Sequence, residues 1–252
     1  MAKTTLIGGF HAVQAALEDA HDKPFEILLA DTRQDERIRN VQQLAQRAGV
    51  RVRVVPKNEL DIKAPGLRHQ GVLAYVPEKA FEAEELLYRS AEPQHLLLAL
   101  DGVQDPHNLG ACLRTAEAVG VTAVIIPKDR SAGLTAVTRK AAAGAAERVP
   151  IVAVTNLART LERLKELGYW ITGLAGEATD TLYDVDFTGP AVLVMGAEGE
   201  GLRRLTRETC DRLVKIPMQG KTESLNVSAA TAVCLYEAWR QRSRPRKDKP
   251  RG

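Results

Sequence analysis

A chain of 252 residues that is 44% hydrophobic and 27% charged has the material for one large or two small domains, each with its own core. No apolar run approaches the roughly 20 residues of a membrane-spanning helix, and the opening MAKTTLIGGFHAVQAALEDA has no signal-peptide pattern, so the expected compartment is the cytoplasm. The net charge of +3 is uneven: Arg240–Gly252 holds seven Lys/Arg against one Asp, which leaves the preceding residues negative by three.

In chain order, Gly8-Gly9 precede a short amphipathic helix at 10–18. FEILLA (25–30) reads as a strand, and 35–49 as a helix with Gly49 at C′. VRVRVV (50–55) alternates like a half-exposed strand, and GVLAYV (71–76) is another. Between them KNELDIKAPGLRHQ reads as a loop, where Lys57, Lys63, Arg68 and His69 form a basic cluster suited to RNA. Residues 1–77 therefore make a small α/β unit. The charged, proline-bracketed stretch 78–94 reads as an interdomain linker.

From His95 onward strands and helices alternate. Strands are expected at 96–100, 123–127, 150–154, 169–174, 192–195 and 213–216, and helices at 109–119, 134–146 and 157–167. Ser224, Leu225 and Asn226 open a last helix that is apolar almost all the way round, as a helix buried on two sides would be, one of them against a second subunit. The alternation argues a mostly parallel sheet covered on both faces over 95–240. Residues 241–252 read as a disordered basic tail that suits nucleic-acid phosphates.

The apolar strands at 192–195 and 213–216 each empty into a loop of small and polar residues. Expected side by side in the sheet, they would form a ligand crevice at their carboxyl ends. The first loop has Gly196, Gly199 and Gly201 in the order GxxGxG, the reverse of a dinucleotide fingerprint. Its Glu198 and Glu200 would repel a pyrophosphate and favour a ligand carrying positive charge. The second loop, QGKTES, has Lys215 where a P-loop needs glycine, so an NTPase is excluded. Ser224 reads as a helix N-cap, whereas Asn226, two residues into the helix, has no standard structural role. Farther upstream, Asn108 reads as an N-cap and Arg114 as the i,i+3 partner of Glu117. Asp105-Pro106-His107-Asn108 is nevertheless long and polar for a strand–helix turn. All five histidines lie in the first 107 residues, which excludes an imidazole-based hydrolase in the later sheet. Cys112, Cys210 and Cys234 are far apart and form no CxxC pair, so neither a disulfide framework nor a zinc site is expected.

Three segments in this order, NLGACLRTAEAVG, VMGAEGEGL and IPMQGKTESLNVSAATAV, resemble the SpoU/TrmH group of RNA ribose 2′-O-methyltransferases in the SPOUT superfamily. The resemblance spans nearly the whole chain, and only the basic tail is extra. It implies an α/β fold with a C-terminal trefoil-knot (SPOUT) methyltransferase domain behind a small L30e-like N-terminal domain that binds RNA. It further implies a homodimer, S-adenosyl-L-methionine as methyl donor, and a guanosine ribose 2′-OH of 23S rRNA as acceptor. Carried over position by position, Asn108, Arg114, Glu198, Ser224 and Asn226 match the catalytic constellation. Thr172, Gly173, Gly196, Ile216, Met218 and Leu225 match the cofactor-binding loops. A tRNA ribose methyltransferase and a non-catalytic rRNA-binding or assembly protein with a knotted fold are the competing readings; a nicotinamide oxidoreductase fails on glycine order.

Overall fold

The computed structural model describes residues 4–18, 23–32, 35–67, 69–77, 81–222 and 224–243. The chain begins β1 (Thr4–Gly8), α1 (Phe10–Glu18), β2 (Glu26–Ala30), α2 (Glu36–Ala48), β3 (Arg51–Val55), α3 (Lys57–Lys63) and β4 (Val72–Pro77). A 3-10 turn at Glu84–Tyr88 leads to β5 (Leu96–Asp101), α4 (Pro106–Ala118), β6 (Ala123–Pro127), α5 (Ala136–Ala142) and α6 (Ala145–Arg148). Then come β7 (Ile151–Val154), α7 (Leu157–Glu166), β8 (Trp170–Leu174), β9 (Asp180–Thr181) and β10 (Ala191–Gly196). The last elements are α8 (Arg204–Thr209), β11 (Arg212–Lys215) and α9 (Val227–Ser243). They divide into two compact units: Met1–Phe81 with Asp105–Glu117 and Ala132–Pro150, and Glu82–Gln104 with Ala118–Ser131 and the chain from Ile151 onward.

The first unit contains a four-stranded sheet in the order β1-β4-β2-β3, with β2 and β3 parallel and the other pairs antiparallel. Ile27, Leu29, Val72, Ala74 and Val76 on one face pack with Phe10, Val13 and Leu17 of α1 and Ile38, Val41 and Ala45 of α2. Asp35 caps α2 by accepting the Ile38 N–H at 3.1 Å, and Gly49 ends it at φ 70°, as expected at C′. β1 has no counterpart in the sequence reading. Its five residues before Gly9 are too few to show alternation.

The expected loop after β3 is instead the helix α3. It buries only Leu60, so it has no apolar periodicity to read, but Pro56 starts it and Glu59 and Lys63 suit its two ends. His69 is buried, which corrects its assignment to a basic surface cluster. Its Nδ1 accepts the Gly71 N–H at 3.0 Å, so Nε2 carries the proton and donates to Asp61 at 2.9 Å. Arg68 lies outside the described residues. The single helix expected at 134–146 breaks at Ala143 (φ 51°) and Gly144 (φ 91°). A Cβ on Gly144 would lie 2.7 Å from Ala15, so a glycine is needed where the chain turns into α6.

The second unit contains a seven-stranded sheet, β7-β6-β5-β10-β8-β11-β9, parallel throughout. One face packs Leu97, Ala99, Ile125, Val152, Ile171, Val192 and Val194 against Leu157, Leu161 and Leu164 of α7. Each such leucine contributes about 1.5–3 kcal/mol by leaving water. The stretch read as a linker supplies Leu87 to this core, and Glu82 bridges to Val152 beside β7.

β10 and β11 are not neighbours: β8 lies between them, with Val192 opposite Ile171 and Leu213 opposite Gly173. The expectation of two adjacent strands is corrected on this point, and the correction adds a third loop to the crevice. At the end of the chain α9 runs three residues into the expected tail. Gln241 donates to the Val185 carbonyl at 2.9 Å, and Arg242 donates to the carbonyls of Gln94 at 2.8 Å and Gly189 at 2.6 Å. Residues 244–252 lie outside the described residues.

Candidate active site

Three loops leave the carboxyl ends of β8, β10 and β11 and enclose a cavity of about 330 Å³. One wall is Leu174–Glu177 after β8, and a second is Met195–Leu202 after β10. Lys215, Ile216 and Met218 with Ser224 and Leu225 form the third, and Val227 and Ala230 of α9 close the side. Of the residues singled out from sequence, Gly196, Glu198, Ile216, Met218, Ser224 and Leu225 line this one cavity. Their convergence follows from the parallel sheet, which delivers successive loops to the same edge.

The loop after β10 is tightly constrained. Ala197 and Gly201 exchange two backbone hydrogen bonds, N–H of each to the carbonyl of the other, at 3.1 and 2.9 Å. Gly196 lies directly under this small ladder. A Cβ there would be 2.2 Å from the Gly201 carbonyl carbon and 2.5 Å from the Leu202 nitrogen, so backbone, not a movable side chain, excludes any other residue. Glu198, Gly199 and Glu200 form the exposed tip.

The loop after β11 is open. Pro217–Thr222, Ser224 and Leu225 are all exposed, and they make no hydrogen bond among the described residues. It ends at Asn226, whose Oδ1 accepts from the Ser228 N–H at 2.9 Å and the Ser228 hydroxyl at 2.6 Å, while its carbonyl accepts the Ala230 N–H. Asn226 is therefore the N-cap of α9. This corrects two expectations, that Ser224 caps the helix and that Asn226 lacks a structural task.

Thr172 and Gly173 sit within β8, buried, two and one residues short of the cavity wall at Leu174. Gly173 is small because a Cβ would meet Cys210 Sγ at 2.7 Å and Leu202 at 2.8 Å. The residues that do reach the cavity from β8, Leu174–Glu177, were missed. Their signal was a short apolar strand emptying into GLAGE, the same pattern that marked the other two loops. Glu177 faces Arg207 across the mouth; its own backbone N–H and Arg207 hold its carboxyl below the usual range, so it is ionised. Burial pushes the thiols of Cys210 and Cys234 up to about 12, so both are neutral and neither is a nucleophile at pH 7.

Asn108 and Arg114 lie on α4, in the first unit. The helix begins three residues earlier than expected because Asp105 caps it, accepting the His107 N–H at 3.0 Å, and Pro106 starts it. Asn108 is thus within the first turn and is not the cap. Glu117 pairs with Arg148 at 2.8 Å and not with Arg114. Arg114 is exposed and has no hydrogen-bond or ion-pair partner among the described residues. No group of three or more His, Cys, Asp or Glu that could hold a metal occurs among the described residues.

Residues 95–236 match the SpoU rRNA methylase family, and residues 6–82 match the RNA 2′-O ribose methyltransferase substrate-binding family. The chain belongs to the SpoU rRNA methylase family. It is 55% identical over 249 residues to the 23S rRNA (guanosine-2′-O-)-methyltransferase RlmB of Pseudomonas aeruginosa, covering 96% of this chain and 99% of that one. It is 54% identical over 241 residues to RlmB of Pasteurella multocida, covering 94% and 98%. Among solved structures, an RNA 2′-O ribose methyltransferase shares 26% identity at a TM-score of 0.81, over 96% of this chain and 90% of that one. The expected α/β class holds: a C-terminal SpoU methylase domain with a parallel sheet follows an α/β substrate-binding domain.

Proposed function

We propose that this chain transfers a methyl group from S-adenosylmethionine to the ribose 2′-OH of a guanosine in 23S rRNA. The observation that carries this reading is the three-loop cavity, in a chain more than half identical, nearly end to end, to enzymes named for that reaction. The cavity suits the donor. Met195, Ile216, Met218 and Leu225 offer apolar surface to an adenine, the small loop residues leave backbone amides accessible, and Glu177, Glu198 and Glu200 favour a cationic ligand. When bound, the donor supplies an electrophilic methyl on a sulfonium, and the reaction needs no metal.

The chain's own residues align the acceptor and remove its proton. Alignment is worth up to about 7–11 kcal/mol, and a positioned base about 10²–10⁴-fold in rate. Deprotonating a guanidinium, with a pKa above about 12, costs about 7 kcal/mol near neutrality at 1.36 kcal/mol per unit. Arg114 is therefore assigned as a clamp for the phosphate next to the target ribose, a role suited to a bidentate cation. Glu198 accepts or relays the proton, Ser224 and Asn108 orient ribose and cofactor, and Asn226 acts while capping α9. Thr172 and Gly173 support the cofactor loop from within β8. Arg114→Ala should abolish transfer and spare donor affinity by calorimetry; a comparable loss of donor affinity would overturn the assignment.

RNA is the substrate class because the acceptor is a 2′-OH. The division into a substrate-binding domain (1–77), a linker (78–94), a methyltransferase domain (95–240) and a basic tail (241–252) belongs to the same reading. Because α9 uses Gln241 and Arg242, the truncation that tests the tail starts at Arg244. It should flatten the salt dependence of rRNA binding. The working form is a cytoplasmic homodimer. Support for the dimer comes from α9, which leaves Tyr236 and Trp239 exposed and packed edge to face on each other. Trp239→Glu should convert a sedimenting dimer to monomer.

A further inference from the structure

The loop that carries Glu198 is held at its base by a residue of a different segment. Asp101 ends β5 and stands in register opposite Gly196, the last residue of β10. Its side chain is fully buried. Oδ2 accepts the backbone N–H of Arg203 at 2.9 Å, and Oδ1 takes the Arg203 side chain through Nε at 2.5 Å and through Nη2. Arg203 is its only partner among the described residues. A buried carboxylate is retained only when its charge is paired and its oxygens are hydrogen-bonded, and here one residue meets both requirements.

Arg203 immediately precedes α8, and the six residues between Gly196 and Arg203 are the loop with the Ala197–Gly201 ladder and the Glu198 tip. Asp101 therefore holds the far end of a loop whose near end is its own strand neighbour. Neither Asp101 nor Arg203 lines the cavity, so the pair has no direct contact with a ligand there.

We propose that Asp101 and Arg203 are a positioning pair for methyl transfer, fixing both ends of the loop so that Glu198 and the second cavity wall keep one geometry. This rests on the reading of the cavity as the methyl-transfer site. The fork of the guanidinium matters, because it grips one carboxylate oxygen while the backbone N–H takes the other; lysine offers a point charge without that fork.

Arg203→Ala leaves the buried Asp101 carboxylate unpaired, whereas Arg203→Lys keeps its charge paired, so the two are compared and every rate is taken per folded molecule. The test therefore uses full-length Arg203→Ala and Arg203→Lys. Three quantities are measured: amide exchange at Ala197 and Gly201, donor affinity by calorimetry, and the single-turnover rate on an rRNA fragment at saturating donor. Arg203→Ala should speed exchange at those two amides while β5 and β10 keep their protection. Its single-turnover rate should fall about 10- to 100-fold, the scale of a small misplacement of reacting groups, and Arg203→Lys should recover part of it. Unchanged exchange at Ala197 and Gly201, or an unchanged rate at saturating donor, overturns the proposal. A merely structural role would raise exchange across the whole sheet and leave the rate per folded molecule intact, and this too overturns it. A wild-type chain that does not methylate the fragment defeats the functional reading instead, and the exchange measurement still decides whether the pair holds the loop.

Discussion

The two loops flanking β8 at the cavity are built in opposite ways. The one after β10 has its own two-bond ladder, a glycine that backbone contacts make irreplaceable, and a buried carboxylate at its base. The one after β11 is exposed from Pro217 to Asn226 over its described residues and makes almost no bonds until Asn226 caps α9. A carboxylate that must meet a reacting proton benefits from a support fixed before the substrate arrives, since no reorganisation is then needed. A wall that must admit and then enclose a cofactor benefits from a segment of low local stability.

The comparison can be broken most sharply at its glycines. Gly196→Ala forces a Cβ into the Gly201 and Leu202 backbone. Strain of about 2–3 kcal/mol should weaken donor binding roughly 100-fold in calorimetry, and wild-type affinity would show that the firm loop is not firm. Asn226→Ala should lower stability by about 1 kcal/mol in urea unfolding through the lost cap. Asn226→Asp should keep that stability yet lose activity if the amide also serves the reaction. Donor binding should slow amide exchange in 218–225 and leave Ala197 and Gly201 as they were, while equal protection of both loops would erase the distinction.

Beneath the firm loop, Leu202 and Cys210 join the core. The Cys210 thiol is raised to about 12, first by burial and then by Asp211. The unfolded chain releases that proton near pH 8.5 and the folded chain does not. Unfolding midpoints should therefore be unaffected by this group below about pH 8.5 and decline above it, the folded state binding more protons there. The smallest effect belongs to the open loop: Gly220→Ala, whose nearest atom would be 4.0 Å away, should change stability by less than about 0.5 kcal/mol.

Elements with a strong local signal were legible. α2 with Asp35 and Gly49 at its ends, and the apolar strands β5, β6 and β10, follow from residues that speak for themselves within a few positions. α3 was not legible, because a helix burying one leucine has no period, and neither was the break at Ala143-Gly144, where an alanine takes the left-handed backbone. In the cavity, the glycines and carboxylates of the loop after β10 stood out by their order, whereas Ile216, Met218 and Leu225 were named only through the family resemblance. That Asn226 is a cap, that Asp105 displaces Asn108 from that task, and that Leu174–Glu177 form a wall could not be read from either.

What the sequence determined by itself is the set of local propensities: where apolar runs stop, where glycines and carboxylates follow them, and that an alternating αβ pattern must stack into a parallel sheet. Only the tertiary structure decided which strands are neighbours. Placing β8 between β10 and β11, and Asp101 opposite Gly196, depends on pairing across tens of residues, where burial of the whole sheet outweighs any local preference.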